Sequence, residues 1–234
     1  MKLSIIVPAH NEQNTIGPLL EQLAVLDLDG WDREVIVVDD GSTDGTYEAA
    51  RLRLGMFNGR GCMEIIRHEK NAGKGAAIKS ALKKAGGGFV IIQDADGEYD
   101  PGEIPKLLSV ISRAESQTAV FGNRGTRRYP ERGWHYVAGA KLLTWTFNVL
   151  FGARIGDLYT GYKLIPADIF KLLNIQSAGF EFEAEVACKL LKKGVRILEV
   201  PIANYRPRSK RQGKHIRFKD AVMGLLAIIK YRVI

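Results

Sequence analysis

An α/β fold, with a mostly parallel central sheet and helices on both faces, is what the sequence predicts, and three observations predict it. Short runs of consecutive apolar residues recur through the first half of the chain. Stretches with apolar residues at helical spacing separate them. Several of the apolar runs stop at small, polar and acidic residues. Strands alternating with amphipathic helices assemble into a parallel sheet covered by helices, and ligands of such sheets bind at the carboxyl ends of the strands.

Residues 3–7 are apolar, are closed by Pro8, and read as a buried strand. Residues 15–26 have helical spacing, and residues 34–38 form a second strand ending in Asp39-Asp40-Gly41-Ser42. A helix is expected from Thr43 to about Leu54, capped by Ser42 or Thr43. Residues 63–66 make a third strand, and residues 75–85 a helix with Lys79, Lys83 and Lys84 toward water. Residues 89–92 make a fourth strand, which runs into Gln93-Asp94-Ala95-Asp96. A helix over 104–111 and a short strand over 119–121 follow. The second half predicts a helix over 137–151, a turn at 159–162, a helix over 183–192, a strand over 196–200, a basic segment and a last helix. No repeat, low-complexity tract or linker intervenes, so one domain over 1–234 is expected.

The apolar fraction of 46% and charged fraction of 26% suit a chain with a real core. The net charge is +8, and seven cations lie between Tyr205 and Lys219, a window without Asp or Glu. A focused basic patch implies an anionic partner: small-molecule phosphates, an anionic membrane surface or nucleic acid. Cys62 and Cys188 fit neither a disulfide framework nor a metal-ligand spacing, so a reduced, cytoplasmic setting is expected. The opening residues, interrupted at Pro8, do not read as a signal peptide. Crossing a bilayer takes ~20 apolar residues, and no run reaches that. Residues 142–151 and 221–229 are the longest apolar runs, flanked by Lys141, Lys219, Lys230 and Arg232. Each reads either as a buried helix or as an amphipathic helix lying in a membrane interface.

Asp94-Ala95-Asp96 carries the strongest chemistry. Side chains two residues apart on an extended strand point the same way, so the two carboxylates converge and call for a cation. Hard oxygen ligands suit Mg²⁺ or Mn²⁺, which also take substrate phosphates. A solvated turn would equally explain these acids alone. The paired Asp39 and Asp40 can accept from ribose hydroxyls or a base N–H, and Pro8-Ala9-His10-Asn11-Glu12 is the matching turn after the first strand. Asn71-Ala72-Gly73-Lys74-Gly75 can bring amides and a lysine to a phosphate, or simply start a helix.

Taken together, Val7-Pro8-Ala9-His10-Asn11-Glu12, Val38-Asp39-Asp40-Gly41-Ser42-Thr43-Asp44, Asn71-Ala72-Gly73-Lys74-Gly75 and Asp94-Ala95-Asp96 resemble, in that order, the inverting family 2 glycosyltransferases of GT-A fold. Asp157-Leu158-Tyr159-Thr160-Gly161-Tyr162-Lys163, Gly179-Phe180-Glu181-Phe182-Glu183 and Tyr205-Arg206-Pro207-Arg208-Ser209-Lys210 resemble the polyprenyl-phosphate branch, which includes the dolichol-phosphate mannosyltransferases. The resemblance implies a nucleotide-sugar donor of the GDP-mannose or UDP-glucose type, Mg²⁺ or Mn²⁺, and a polyprenyl or dolichyl phosphate acceptor. Many relatives carry transmembrane helices after the basic segment, but the lack of a spanning run and the cation-flanked apolar runs here lead to a peripheral enzyme on the cytoplasmic face of a membrane, with a membrane protein as a further candidate partner. Residues 1–124 would hold the nucleotide-sugar, and residues 125–234 would face acceptor and membrane.

The resemblance also implies roles. Pro8, Ala9, Asn11, Glu12, Asp39, Asp40, Lys74, Asp94 and Ala95 would bind the nucleotide. Asp94, Asp96 and Glu98 would hold the metal, and Arg124, Arg206 and Lys210 would take phosphates. The chain departs from the family where a glycine follows Ser209-Lys210 instead of preceding it, so Lys214 competes with Lys210 as the phosphate clamp. Asp94, Asp96, Asp157 and Arg206 are the expected catalytic residues, with Asp157 and Glu183 the acids available as a base. A lipid monophosphate brings its own negative charge and hardly needs one. Transfer to a sugar hydroxyl is the alternative reading. Nucleic acid is not an expected partner, because aromatic residues hardly interleave the basic patch. A nucleotidyltransferase would show a basic, glycine-rich loop where this chain has Pro8-Ala9-His10-Asn11-Glu12.

Overall fold

The computed structural model describes residues 1–59, 61–125, 134–208 and 218–234. Strands β1 (Lys2–Ala9), β2 (Asp32–Asp39), β3 (Cys62–Arg67) and β4 (Phe89–Ile92) alternate with helices α1 (Ile16–Val25), α2 (Thr46–Arg51) and α3 (Lys74–Leu82). Then come α4 (Ile104–Ile111), β5 (Thr118–Asn123), α5 (Trp134–Phe151), β6 (Lys163–Pro166), α6 (Ala167–Leu172), α7 (Phe182–Lys192), β7 (Arg196–Pro201) and α8 (Phe218–Val233). The described strands form one seven-stranded sheet in the order β3-β2-β1-β4-β6-β5-β7. β1 to β4 pair in parallel, as do β5 and β7, and β6 runs antiparallel between β4 and β5. The mostly parallel α/β sheet expected from the sequence is therefore present.

Consecutive strand residues bury on opposite faces, which explains why the strands read as continuous apolar runs. Ile5, Val7, Val35, Val37 and Ile91 pack with α1 and α4 on one face. Ile6, Ile36, Val38, Val90 and Ile92 pack on the other with α3, α5, α6, α7 and α8. The expected helix over 43–54 is shorter. It begins at Thr46 after Gly45, not at Ser42 or Thr43, with Asp44 accepting from Thr46 N at 3.0 Å just before it, and it gives way to a 3-10 turn at Leu54–Phe57 that contains Gly55. β6 and α6 occupy a stretch where the sequence suggested no element.

The two apolar runs of the second half lie in α5 and α8, which pack against each other. Each helix buries one apolar face and exposes another. Leu143 and Phe147 of α5 and Ala227, Ile228 and Tyr231 of α8 are in the core. Leu142, Trp145 and Val149 stand out from α5, and Val222, Leu226 and Ile229 from α8. Among the described residues, no helix is long and apolar enough to cross a membrane.

The amino ends of the strands are pinned by one buried acid, Glu34. It accepts from Ser4 Oγ, from Gly86 N at 2.6 Å and Gly87 N at 2.9 Å, and pairs with Lys2 at 2.5 Å. Burial works to raise its pKa, but the bonds from Lys2, Ser4 and Gly86 outweigh it and hold it below the ordinary value of 4.5. A depressed carboxylate stabilises the fold above its unfolded pKa and loses that contribution as pH falls through the folded one. Glu34→Gln should therefore cost about 2 kcal/mol at pH 7, with the deficit shrinking as the medium is acidified below the ordinary carboxylate range. Urea melts at both pH values check this, and an undiminished deficit in acid would contradict it.

Candidate functional site

The carboxyl ends of β1, β2 and β4 lie side by side, and the polar clusters that follow them meet there. After β1, Asn11 takes a left-handed conformation with φ of 57°. In that pose its Oδ1 accepts from Thr43 N at 2.9 Å and its backbone N–H donates to Ser42 Oγ at 3.0 Å, so the first two loops are stitched together. Pro8 and Ala9 are the last residues of β1.

Asp39 and Asp40 do different work. Asp40 uses both carboxylate oxygens, with His68 Nδ1 at 2.6 Å and Ala72 N at 3.0 Å on one and Gly73 N at 2.8 Å on the other. It thereby clamps the turn that opens α3. Gly73, at φ of 97°, is required in that turn, because a Cβ there would sit 2.4 Å from Ala178 O. Asp39 is fully buried. Its Oδ1 accepts from Ser42 N at 3.1 Å, while its Oδ2 has no hydrogen-bond partner and Arg67 Nε stands 3.3 Å away. A buried acceptor with an ion-pair partner but no hydrogen bond fits a ligand N–H or hydroxyl.

β4 ends at Ile92, so Asp94 and Asp96 sit in the turn beyond it and not on extended strand as expected. Gln93 folds that turn back by donating to Asp94 O and Tyr99 O, both at 3.2 Å. The two carboxylates are nonetheless close enough to repel. Burial first, then the charges of Asp94 and Glu98, push the Asp96 carboxyl up to about 7. Arg208 stands 3.8 Å from Asp96 Oδ2 and forks onto Glu12 at 2.9 and 2.5 Å. Glu98 has both oxygens engaged, accepting from Tyr205 OH at 2.6 Å and Arg208 N at 2.7 Å. Among the described residues, no three His, Cys, Asp or Glu side chains form a cation cage by themselves. The donor set of Asp94 and Asp96 still fits a hard divalent cation whose shell is completed by phosphate oxygens and water.

Lys74 stands between Asp94 Oδ1 at 2.7 Å and Glu183 Oε1 at 2.8 Å. Glu183 also pairs with Lys163, which is fully buried. Burial alone would raise Glu183, but the two lysines outweigh it and hold its pKa low. On the other flank Arg124 binds Asp157 through two parallel bonds, 2.6 and 2.7 Å long. Burial opposes ionisation of Asp157 too, and Arg124 keeps its pKa below the ordinary value. Arg206 is exposed and lines a cleft of about 220 Å³ with Asn14, Thr15, Gly97 and Asn204. Lys210 and Lys214 lie outside the described residues.

Sequence reasoning brought out most of these residues but missed three roles. Arg208, not Arg206, is the guanidinium that reaches Glu12 and Asp96. Lys163 went unassigned, although a lysine in the apolar run Lys163–Pro166 must find a buried partner. His68, which links Asp40 to Ser80 Oγ at 2.9 Å, left no pattern.

Such a sheet, with acids gathered where its first parallel strands end, has the α/β architecture of the GT-A fold. Residues 4–172 match the family described as glycosyl transferase family 2, and the chain belongs to that family. It is 29% identical over 226 residues to the low-salt glycan biosynthesis hexosyltransferase Agl6 of Haloferax volcanii, covering 92% of this chain and 52% of that protein. It is 27% identical over 234 residues to the dolichol-phosphate mannosyltransferase of Pyrococcus furiosus, covering 92% and 61%. It is also 27% identical over 214 residues to the undecaprenyl-phosphate mannosyltransferase of Micrococcus luteus, covering 86% and 83%. The chain thus spans about half to three-fifths of the length of the first two. In fold it matches glucosyl-3-phosphoglycerate synthase of Mycobacterium tuberculosis, solved with Mg²⁺ and UDP, at a TM-score of 0.74 and 20% identity, covering 100% and 80%.

The Arg124–Asp157 pair gives a direct test of this geometry. Arg124→Met leaves a buried carboxylate without its cation, which costs about 3–5 kcal/mol. A second change, Asp157→Leu, should recover much of that loss. Urea denaturation of both variants checks it, and a single-variant cost below about 1 kcal/mol, the range of exposed pairs, would refute the pairing.

Proposed function

We propose that this chain transfers a hexose, with inversion, from a nucleotide-sugar to a polyprenyl or dolichyl phosphate at a membrane surface. One observation carries the choice of acceptor. The described acids that could serve as a base beside the Asp94–Asp96 pair are already engaged: Asp157 by Arg124, Glu183 by two lysines, Glu12 by Arg208, and Glu98 by Tyr205 and an amide. A hydroxyl acceptor would need one of them as a base, whereas a phosphate already carries its charge. The exposed apolar faces of α5 and α8 and the names of the relatives support a lipid acceptor.

In this reading Asp39 Oδ2, buried without a hydrogen bond, accepts from the nucleoside, beside Pro8, Ala9, Asn11 and Glu12. Asp94 and Asp96 hold Mg²⁺ or Mn²⁺, which supplies charge neutralisation to the leaving diphosphate. Arg208, held on Glu12 and 3.8 Å from Asp96 Oδ2, faces the incoming phosphates, and Arg124 lines the same edge. Preorganised cations of this kind stabilise charge as it develops. The donor sugar and base stay at the level of GDP-mannose or UDP-glucose.

Two outcomes are expected. With both donors offered, transfer to a short polyprenyl phosphate should exceed transfer to the free alcohol by at least ~100-fold, and excess chelator or Asp96→Asn should abolish it. Equal transfer to phosphate and alcohol would overturn the acceptor, and full activity in chelator would overturn the metal. Second, the protein should float with anionic vesicles and resist about 0.5 M salt in part, since salt screens charge but not apolar insertion. Trp145→Glu with Leu226→Glu should remove the salt-resistant fraction. Complete release of the unaltered protein by salt would count against insertion of these helices.

A further inference from the structure

We infer that Lys163 is a positioning residue for Asp94, gripping that carboxylate from two sides through Glu183 and Lys74 and through the turn at Gly161. The inference rests on the assignment of Asp94 and Asp96 to the donor diphosphate and its cation.

The first side is a chain of alternating charges. The Lys163 ammonium, fully buried in β6, pairs with Glu183 Oε2. The other oxygen of Glu183 takes Lys74 at 2.8 Å, and the same Lys74 nitrogen binds Asp94 Oδ1 at 2.7 Å. Glu183 is held in the first turn of α7, and Lys74 is the first residue of α3. Each carboxylate in this line is paired with a lysine of the line, so a change at one end is felt at the other. Removing Glu183's charge frees Lys74 from one of its two partners, and its place at Asp94 is no longer fixed.

The second side is steric. The Lys163 ammonium also donates to Leu158 O at 3.3 Å and to Thr160 O. It thereby wraps the turn before β6 around itself. That turn lays Gly161 against Asp94, where a Cβ would fall 2.4 Å from Asp94 Oδ2 and 3.0 Å from the Tyr99 ring. Gly161 N donates to Tyr99 OH at 2.7 Å, which fixes the approach. One carboxylate oxygen of Asp94 is thus held by Lys74 and the other is crowded by Gly161. Both constraints lead back to the same buried ammonium.

Such outer groups set the orientation of metal-binding carboxylates, and their loss typically costs ~10–100-fold in metal affinity. The test is calorimetric titration of the full chain with Mn²⁺ in the presence of UDP or GDP, alongside thermal melting. Glu183→Gln and Gly161→Ala should each weaken binding by roughly tenfold or more. Combining Glu183→Gln with Asp94→Asn should lose no more than Asp94→Asn alone, because Glu183 acts through Asp94. Glu34→Gln, which removes a buried acid at the far end of the sheet, should lower the melting temperature and leave affinity unchanged. Unchanged affinity in Gly161→Ala, or additive losses in the double variant, would overturn the inference. If Glu183→Gln fails to fold, Gly161→Ala alone decides. Failure of the unaltered protein to bind either nucleoside diphosphate would instead overturn the donor-site reading itself.

Discussion

A fully buried ammonium in the middle of a sheet is the constraint on which the functional edge of this protein depends. Desolvating a lysine is expensive unless its donors are met and its charge is paired. Lys163 meets that requirement with Leu158 O, Thr160 O and Glu183. The pairing brings the start of α7 to the sheet, and α7 in turn offers Glu183 to Lys74. β6 is therefore more than a space-filler between β4 and β5, since it delivers the charge that orders the loops around it.

The same economy of charge recurs around the edge. Arg124 neutralises Asp157, Arg208 neutralises Glu12, and Asp40 gives its oxygens to a histidine and two amides. Against this background two groups stand apart. Asp39 Oδ2 is buried without a hydrogen bond, and Asp96 is raised by burial and then by its acidic neighbours. A protein tolerates such groups where a ligand completes them.

The sheet and the clusters at its edge were legible because apolar runs, helical spacing and acidic loops are local patterns. Strand β6 was not. Its four residues carry a lysine and end in proline, and only the cross-strand pairing with β4 and β5 makes them a strand. The expectation that Asp94 and Asp96 lie on extended strand failed because the Gln93 side chain turns the backbone back one residue earlier. Arg206 and Arg208 look equivalent in sequence. What separates them is the Tyr99–Tyr205 bridge and the bond from Arg206 N to Glu98 O, which set the path of the segment over the site.

The insertion of β6 also dictates an order of events during synthesis. β5 at Thr118–Asn123 leaves the ribosome well before Lys163–Pro166, yet it reaches β4 only through that later strand. β1 to β4 can pair among themselves as soon as they emerge, whereas β5 must wait with both edges bare. Unpaired, apolar strand edges are where nascent chains stick to one another. The interval between these two strands is therefore the period in which a chaperone that shields extended apolar segments has most to offer this polypeptide.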